Sequence, residues 1–339
     1  MVTQNEQNIL IVAEIGVNHN GKMSNAFSLI ESAARSGADI VKFQTFSADN
    51  LTNSNAPLAS YQLANTYGVR SQKELLQNLE LTRANHLPLK EYCEKNNIEF
   101  LSTAFGVEEL KFLVELGIKR IKIPSGELTN LPYLEVASSA GLPIILSTGM
   151  STIPQISASV DILLRNGLDL EDLTILHCTS DYPAPLDTLN MAAIPTIKNE
   201  FGSAVGYSDH SSGNEAAVMA VALGATIVEK HITIDRNMPG PDHRASMEPA
   251  QFFDYVSAIR NASMALGNGT KQPSPAEIEN SKIVRKSIVA KKPIKQGEML
   301  TLENITTKRP GTGVSPMHWY DVVGTPAIRD FKIDELIEL

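Results

Sequence analysis

TIVEKHIT, residues 226–233, is a short β-like apolar run whose end carries Glu, Lys and His in succession. Three other fragments end the same way: IVAEIGVNHNG (11–21), IVKFQTF (40–46) and AVGYSDH (204–210). A strand whose C-terminal tip holds polar, titratable groups, repeated around a ring, is how a (β/α)8 barrel assembles a site at one end. Around these fragments the sequence predicts eight strands, at 9–14, 39–43, 99–103, 120–123, 143–147, 174–177, 204–207 and 226–229. The intervening segments carry apolar residues at helical spacing, as in Phe27, Ile30, Ala33 and Ala34, or Leu110, Leu113, Val114 and Leu116. Gly37, Gly117, Gly141, Gly167 and Gly224 fall between a helix and the next strand, where a helix C-cap takes a left-handed residue. Strand–helix alternation implies a parallel sheet. Eight such units favour a closed α/β TIM barrel over an open sheet, and no Gly-x-Gly-x-x-Gly follows the first strand to argue for a dinucleotide fold.

The barrel is expected over residues 1–266. GNGTKQPSPAEIENSK, rich in polar residues with Gly and two prolines, reads as a linker over 267–281. A second domain of short β-like pieces (KSIVAKKPI, EMLTLENITTKRP, DVVGTPAIRD) is expected over 282–339, near the lower size limit for independent folding. The stretch from 51 to 85, containing YQLANTYG, is long for a βα loop and is expected to fold over the barrel mouth.

Composition narrows the class. The chain has 339 residues, of which 42% are hydrophobic and 20% charged, as in a globular enzyme. A net charge of −9 argues against nucleic acid as a partner, while local lysines in a cleft still permit an anionic substrate. The longest nearly apolar stretch, 216–228, is too short to span a bilayer. The N-terminal residues lack the pattern of a signal peptide, and two cysteines without a CxxC fit a reducing, cytoplasmic compartment.

Candidate chemistry concentrates at the strand ends. His210 and His231 lie one βα unit apart and form the best metal-site candidate, since two neutral imidazoles with open positions can hold a divalent Lewis acid. The alternative is that each imidazole only hydrogen-bonds in the rim. Anion donors recur at successive strand ends: Lys42 and Gln44, Thr103, Lys122 with Ser125 and Gly126, Ser147 with Thr148 and Gly149, and Thr179 with Ser180. Hydroxyls, backbone N–H groups and ammoniums converging from several strands are what a phosphate needs. Carboxylates at the expected mouth are Glu14, Glu127, Asp209, Glu229 and Asp242. Glu14 and Glu127 would touch hydroxyls or shuttle a proton. For two of these a plainer alternative stands beside the mouth role: Asp209 as an orienting partner of His210, and Glu229 as a surface partner of Lys230.

AEIGVNHNG, VKFQTF, FLSTAF, IKIPSGE, ILSTGM, HCTSDYPAP, GYSDHSSG, EKHIT, PGPDH and KRPGTG resemble, in this order, motifs of the bacterial sialic acid synthases, a family that includes N-acetylneuraminate, legionaminate and pseudaminate synthases. The second domain resembles the antifreeze-like (SAF) domain of these enzymes. The resemblance implies condensation of phosphoenolpyruvate with the open-chain aldehyde of an N-acetylated mannose-type sugar, with loss of phosphate. It implies Mn2+, or another divalent ion such as Mg2+ or Co2+, on His210 and His231. Glu14 would handle a proton. Lys42, Thr103, Lys122, Ser125, Ser147, Ser180 and Ser208 would bind phosphoenolpyruvate, and Gln44, Glu127, Tyr182 and Asp242 the sugar. Arg309 would enter the barrel of the partner chain in a domain-swapped homodimer. Ser180 stands where some members carry Asn. KFQTF, in place of KHQTH, resembles the legionaminate branch and would suit a less polar sugar. Two other readings stay open: a different phosphoenolpyruvate aldol synthase, and a non-catalytic carbohydrate- or ice-binding barrel.

Overall fold

In the computed structural model the described residues are 9–53, 56–58 and 71–339; YQLANTYG lies outside them. Eight parallel strands close into a barrel in sequence order: β1 Leu10–Gly16, β2 Ile40–Thr45, β3 Glu99–Ala104, β4 Ile121–Ile123, β5 Ile144–Ser147, β6 Leu173–Cys178, β7 Ala204–Asp209 and β8 Ala225–His231. The β1–β8 register, Leu10 to Ile227 through Glu14 to His231, completes the ring. The predicted (β/α)8 barrel is therefore the observed one, with strand ends differing by a residue or two.

Alternation along the strands builds two cores and positions the site. Residues of a strand face opposite sides in turn. Val12, Ile40, Leu101, Ile145, Leu176 and Ile227 point inward and fill the barrel axis with one apolar layer. The residues two places further on are Glu14, Lys42, Thr103, Ser147, Cys178 and Glu229. A polar layer thus rests directly on the apolar plug, at the C-terminal end of the barrel. Outward-facing residues such as Ala13, Val41, Phe43, Ile175, Tyr207 and Val228 pack under the surrounding helices as the larger core. Gly117, at φ +83°, ends helix Val107–Leu116 in the left-handed region that favours glycine.

The chain divides into two compact units, Met1–Asn268 and Gly269–Leu339. The second unit pairs β9 Ser287–Ala290 with β10 Ile305–Lys308 antiparallel and buries its own core, including Ile288, Leu300, Ile305, Val322 and Phe331. Of its predicted β-like pieces, the third forms a single bridge, Pro326 with Met299, and no strand of its own. The segment read as a linker is partly helical, over Pro275–Val284. Its start has a capping box, in which Ser274 N donates to Glu277 Oε2 at 2.7 Å and Glu277 N donates to Ser274 Oγ at 3.3 Å. Pro275 sits in the first turn, where its missing N–H is no loss; the same proline had argued for a linker.

Candidate active site

A cavity of about 740 Å3 opens above the polar layer. Its lining includes Glu14, Lys42, Gln44, Thr103, Lys122, Ser125, Ser147, Ser180, Tyr182, Ser208, His210, His231 and Asp242, so the barrel brings these thirteen predicted residues together. Leu51, Thr52, Gln72, Leu75, Leu76 and Leu79 also line it, so both described ends of the long 51–85 segment reach the mouth.

One predicted residue of the barrel unit stands apart. Glu127 ends the short turn Ser125–Glu127 and is buried. Its carboxylate accepts from Asn130 Nδ2 at 2.5 Å, and it is not part of the cavity lining. Arg309 is exposed on the second unit, just past β10.

The floor is electrostatically dense. Lys42 Nζ lies 2.6 Å from Glu14 Oε2, 3.8 Å from Glu229 Oε1 and 3.1 Å from Thr103 Oγ1. Lys122 Nζ donates to Ser147 Oγ at 2.7 Å and lies 3.7 Å from Glu229 Oε2. Glu229, buried and inward-facing, therefore bridges the two ammoniums and accepts from Ser208 Oγ at 3.0 Å. Glu229 thus lines the cavity with the other mouth carboxylates, and the alternative of a surface pair with Lys230 fails, because neighbours in a strand face opposite sides.

These surroundings separate the two carboxyls. Burial works to raise the Glu229 pKa, but the Lys122 and Lys42 ammoniums and the Ser208 hydroxyl outweigh it and hold it at about 2. Burial pushes Glu14 up to about 7, with Lys42 opposing and Glu229 assisting the rise. One carboxylate stays charged between two lysines while its neighbour holds a proton near neutrality, the division of labour that acid–base sites use. Burial likewise raises Asp242 to about 6, against the pull of Lys42. Burial opposes the charge of Lys42, but Glu14 and Glu229 raise its pKa above the usual value. Lys122 is lowered, chiefly by burial.

Above the floor, the imidazoles of His210 and His231 face one another with ring centroids 5.7 Å apart. The Tyr182 ring lies 4.2 Å from the first and 5.9 Å from the second. His210 Nδ1 is 2.6 Å from the Thr179 carbonyl oxygen. A carbonyl only accepts, so Nδ1 carries the hydrogen and Nε2 presents a lone pair. Asp209 does not orient this ring; its carboxylate faces the other side of the barrel wall, toward Lys230 and Tyr255. His231 Nδ1 is buried without a hydrogen-bond partner. Burial lowers the pKa of both histidines, His231 the more strongly, so both are neutral donors at neutral pH. A carbonyl-anchored imidazole beside a second one with an unsatisfied nitrogen fits a divalent ion with open positions. Among the described residues no group of three or more His, Cys, Asp and Glu side chains is disposed to hold a metal ion.

Small residues shape the anion side. A Cβ on Gly149 would stand 2.3 Å from Ser180 Oγ and 2.9 Å from Ser125 Oγ, so only glycine lets these hydroxyls converge. Its N–H donates to Ser125 Oγ at 2.9 Å. Of the two phenylalanines of KFQTF, Phe43 packs outward against Phe100, and Phe46 lines the cavity with Phe105 and the leucines of the long segment.

A TIM barrel with paired lysines, converging hydroxyls and facing histidines at its C-terminal mouth is built to hold a small anion beside an electrophile. Residues 29–271 match the NeuB family and residues 285–338 the SAF domain; the chain belongs to the NeuB family. It is 48% identical over 328 residues to an N,N'-diacetyllegionaminic acid synthase of Campylobacter jejuni subsp. jejuni serotype O:2, covering 97% of this chain and 98% of that protein. It is 44% identical to an N,N'-diacetyllegionaminic acid synthase of Legionella pneumophila, covering 93% and 89%. Among solved structures it is similar to an N-acetylneuraminic acid (sialic acid) synthetase of Leptospira borgpetersenii in complex with citrate, with TM-score 0.72, 34% identity, and coverage of 81% of this chain and 90% of that one.

Proposed function

We propose that the protein is a nonulosonic acid synthase. It joins phosphoenolpyruvate to the open-chain aldehyde of an N-acetylated mannose-type sugar and releases phosphate. The observation that carries this reading is the convergence of Lys42, Lys122, Glu14 and the His210–His231 pair in one cavity. The two relatives named as N,N'-diacetyllegionaminic acid synthases, at 44–48% identity, favour 2,4-diacetamido-2,4,6-trideoxymannose over N-acetylmannosamine, and so legionaminic over N-acetylneuraminic acid. The apolar wall containing Phe46 and Phe105 agrees with a deoxygenated sugar.

Lys42, Lys122, Thr103, Ser125, Ser147, Ser180 and Ser208 hold the phosphoenolpyruvate anion against the floor. Carbon 3 bonds to the aldehyde carbon, and the aldehyde oxygen takes up a proton. Glu14, which keeps its proton near pH 7, is the group placed to give it. The cationic carbon 2 then takes the oxygen of water and one water proton replaces the one Glu14 gave; the tetrahedral centre collapses to the ketone as its C–O bond to phosphate breaks, and the second water proton leaves with the phosphate. Ionised Glu229, facing the same floor, favours that positive charge. A divalent ion (Mn2+, Mg2+ or Co2+) held by His210 and His231 would supply Lewis-acid polarisation of the aldehyde. Gln44, Tyr182 and Asp242, which line the cavity, contact the sugar. Arg309, exposed and bearing a guanidinium suited to a carbonyl, completes the site from the partner chain of a domain-swapped homodimer.

The test is phosphate release from phosphoenolpyruvate with each of the two sugars in parallel. We expect turnover with the diacetamido sugar to exceed that with N-acetylmannosamine, to stop with EDTA and to return with Mn2+. No sugar-dependent phosphate release would overturn the reading, and chelator-insensitive turnover would remove the metal from it.

A further inference from the structure

Directly behind the two imidazoles, on the outer side of the barrel wall, lies a charged network that the reaction does not use. We propose that Asp209, Lys230 and Tyr255 are positioning residues that fix the spacing of His210 and His231; this rests on the reading of those histidines as ligands of a divalent ion. Strand alternation creates the arrangement. In β7 and β8, Ser208 and Glu229 point into the cavity, so Asp209 and Lys230 point outward, and the histidines that follow point inward again. Asp209 and Lys230 are cross-strand partners in register.

Their contacts form a closed clamp. Lys230 Nζ lies 3.3 Å from Asp209 Oδ2 and donates to the Ser211 carbonyl. Tyr255, on helix Pro249–Leu266, donates its hydroxyl to Asp209 Oδ2 at 2.8 Å, and its ring lies 5.5 Å from the ammonium. Asp209 Oδ1 accepts from Ser211 N at 2.8 Å and from Ser211 Oγ at 2.6 Å. All four residues are at most 1% exposed. An ion pair this deep gives little net stability over apolar side chains of equal volume, but it fixes direction and distance. The residues on either side of His210 belong to the clamp, and so does the residue before His231. His231 depends on it most, because its Nδ1 has no hydrogen bond to hold the ring.

The experiment is Mn2+ titration of the full chain, reading free ion by electron paramagnetic resonance, with circular dichroism and thermal melting of each variant. Tyr255→Phe removes one hydrogen bond and should weaken Mn2+ about three- to tenfold. Lys230→Met opens the clamp and should weaken it about 10- to 100-fold, with a changed spectrum of the bound ion. Phosphoenolpyruvate affinity without metal should stay near the wild-type value, since Lys42 and Lys122 lie on other strands and the neighbouring Ser208 and Glu229 face the opposite side of the barrel wall. Folded variants that bind Mn2+ as tightly as wild type, whatever their melting temperature, would overturn the proposal. If Lys230→Met does not fold, Tyr255→Phe decides alone. His231→Ala is the control: wild-type Mn2+ affinity in that variant would refute the metal reading itself, separately from the clamp.

Discussion

Replacing Lys122 by Met tests the floor of the cavity most sharply, because it changes what Glu229 does. The Lys122 ammonium lies 2.7 Å from Ser147 Oγ and 3.7 Å from Glu229 Oε2. At an effective dielectric near 20, unit charges at that distance attract by about 4–5 kcal/mol before desolvation is counted. In Lys122→Met, an incoming phosphoenolpyruvate loses a charged partner, worth about 1.5–3 kcal/mol, and should bind roughly 10- to 150-fold more weakly. Glu229 is then left with Lys42 as its remaining cation at 3.8 Å, and its carboxylate repels the substrate. Adding Glu229→Gln in that background should therefore strengthen binding. In the wild-type background the same change should weaken it, because Lys122, whose pKa burial already lowers, loses the carboxylate that supports its charge. The sign reversal corresponds to a coupling energy of about 1–3 kcal/mol. Calorimetric titration of the four proteins with phosphoenolpyruvate at constant Mn2+, with circular dichroism as the check on folding, measures it. Unchanged affinity in Lys122→Met, or effects that add across the cycle, would refute the bridging role of Glu229.

Asp242 should make the protein less stable as pH rises. Its pKa goes from 3.8 to about 6 on folding, so the folded state holds the proton more tightly; the stabilisation is full below pH 3.8 and is lost as pH rises through 6. The rise of about two pK units corresponds to on the order of 3 kcal/mol. Metal-free Asp242→Asn should thus be more stable than wild type at pH 7.5, and the advantage should vanish by pH 4 in urea denaturation; equal differences at both pH values would contradict the assignment. Gly149→Ala, which places a methyl 2.3 Å from Ser180 Oγ, should reduce phosphoenolpyruvate affinity at least about tenfold through steric exclusion with little change in sugar affinity, as measured by separate titrations. Arg309→Ala should raise the Michaelis constant for the sugar by about 1–3 kcal/mol equivalent, and mixing it with a Lys122→Met protein should restore part of the turnover if the site is shared between chains. No recovery in the mixed protein would count against the domain swap.

Most of the site was legible because a barrel strand has one rule, alternation, and one polarity, toward the C-terminal tip. Lys42, Lys122 and Glu14 each sit two residues beyond an inward apolar residue or at its level on the next strand, which is why composition at the strand ends pointed to them. The same rule also contained what the reading missed. Once His231 is taken as inward, Glu229 must be inward and Lys230 outward, so the two cannot pair, and Asp209 cannot reach the ring of His210. The buried clamp and the lysine bridge were both implied by phase, and each was obscured by the expectation that charged neighbours in sequence meet at the surface. Glu127 is different. It ends a three-residue turn in which no periodic rule fixes direction, and its carboxylate pairs with Asn130. Periodicity can assign a side chain to a face only while the backbone stays regular. Residues just past a strand end are therefore assigned safely where their partner directly follows the neighbouring strand, as Thr179 O, next after β6, sets the orientation of His210, and not where a turn intervenes.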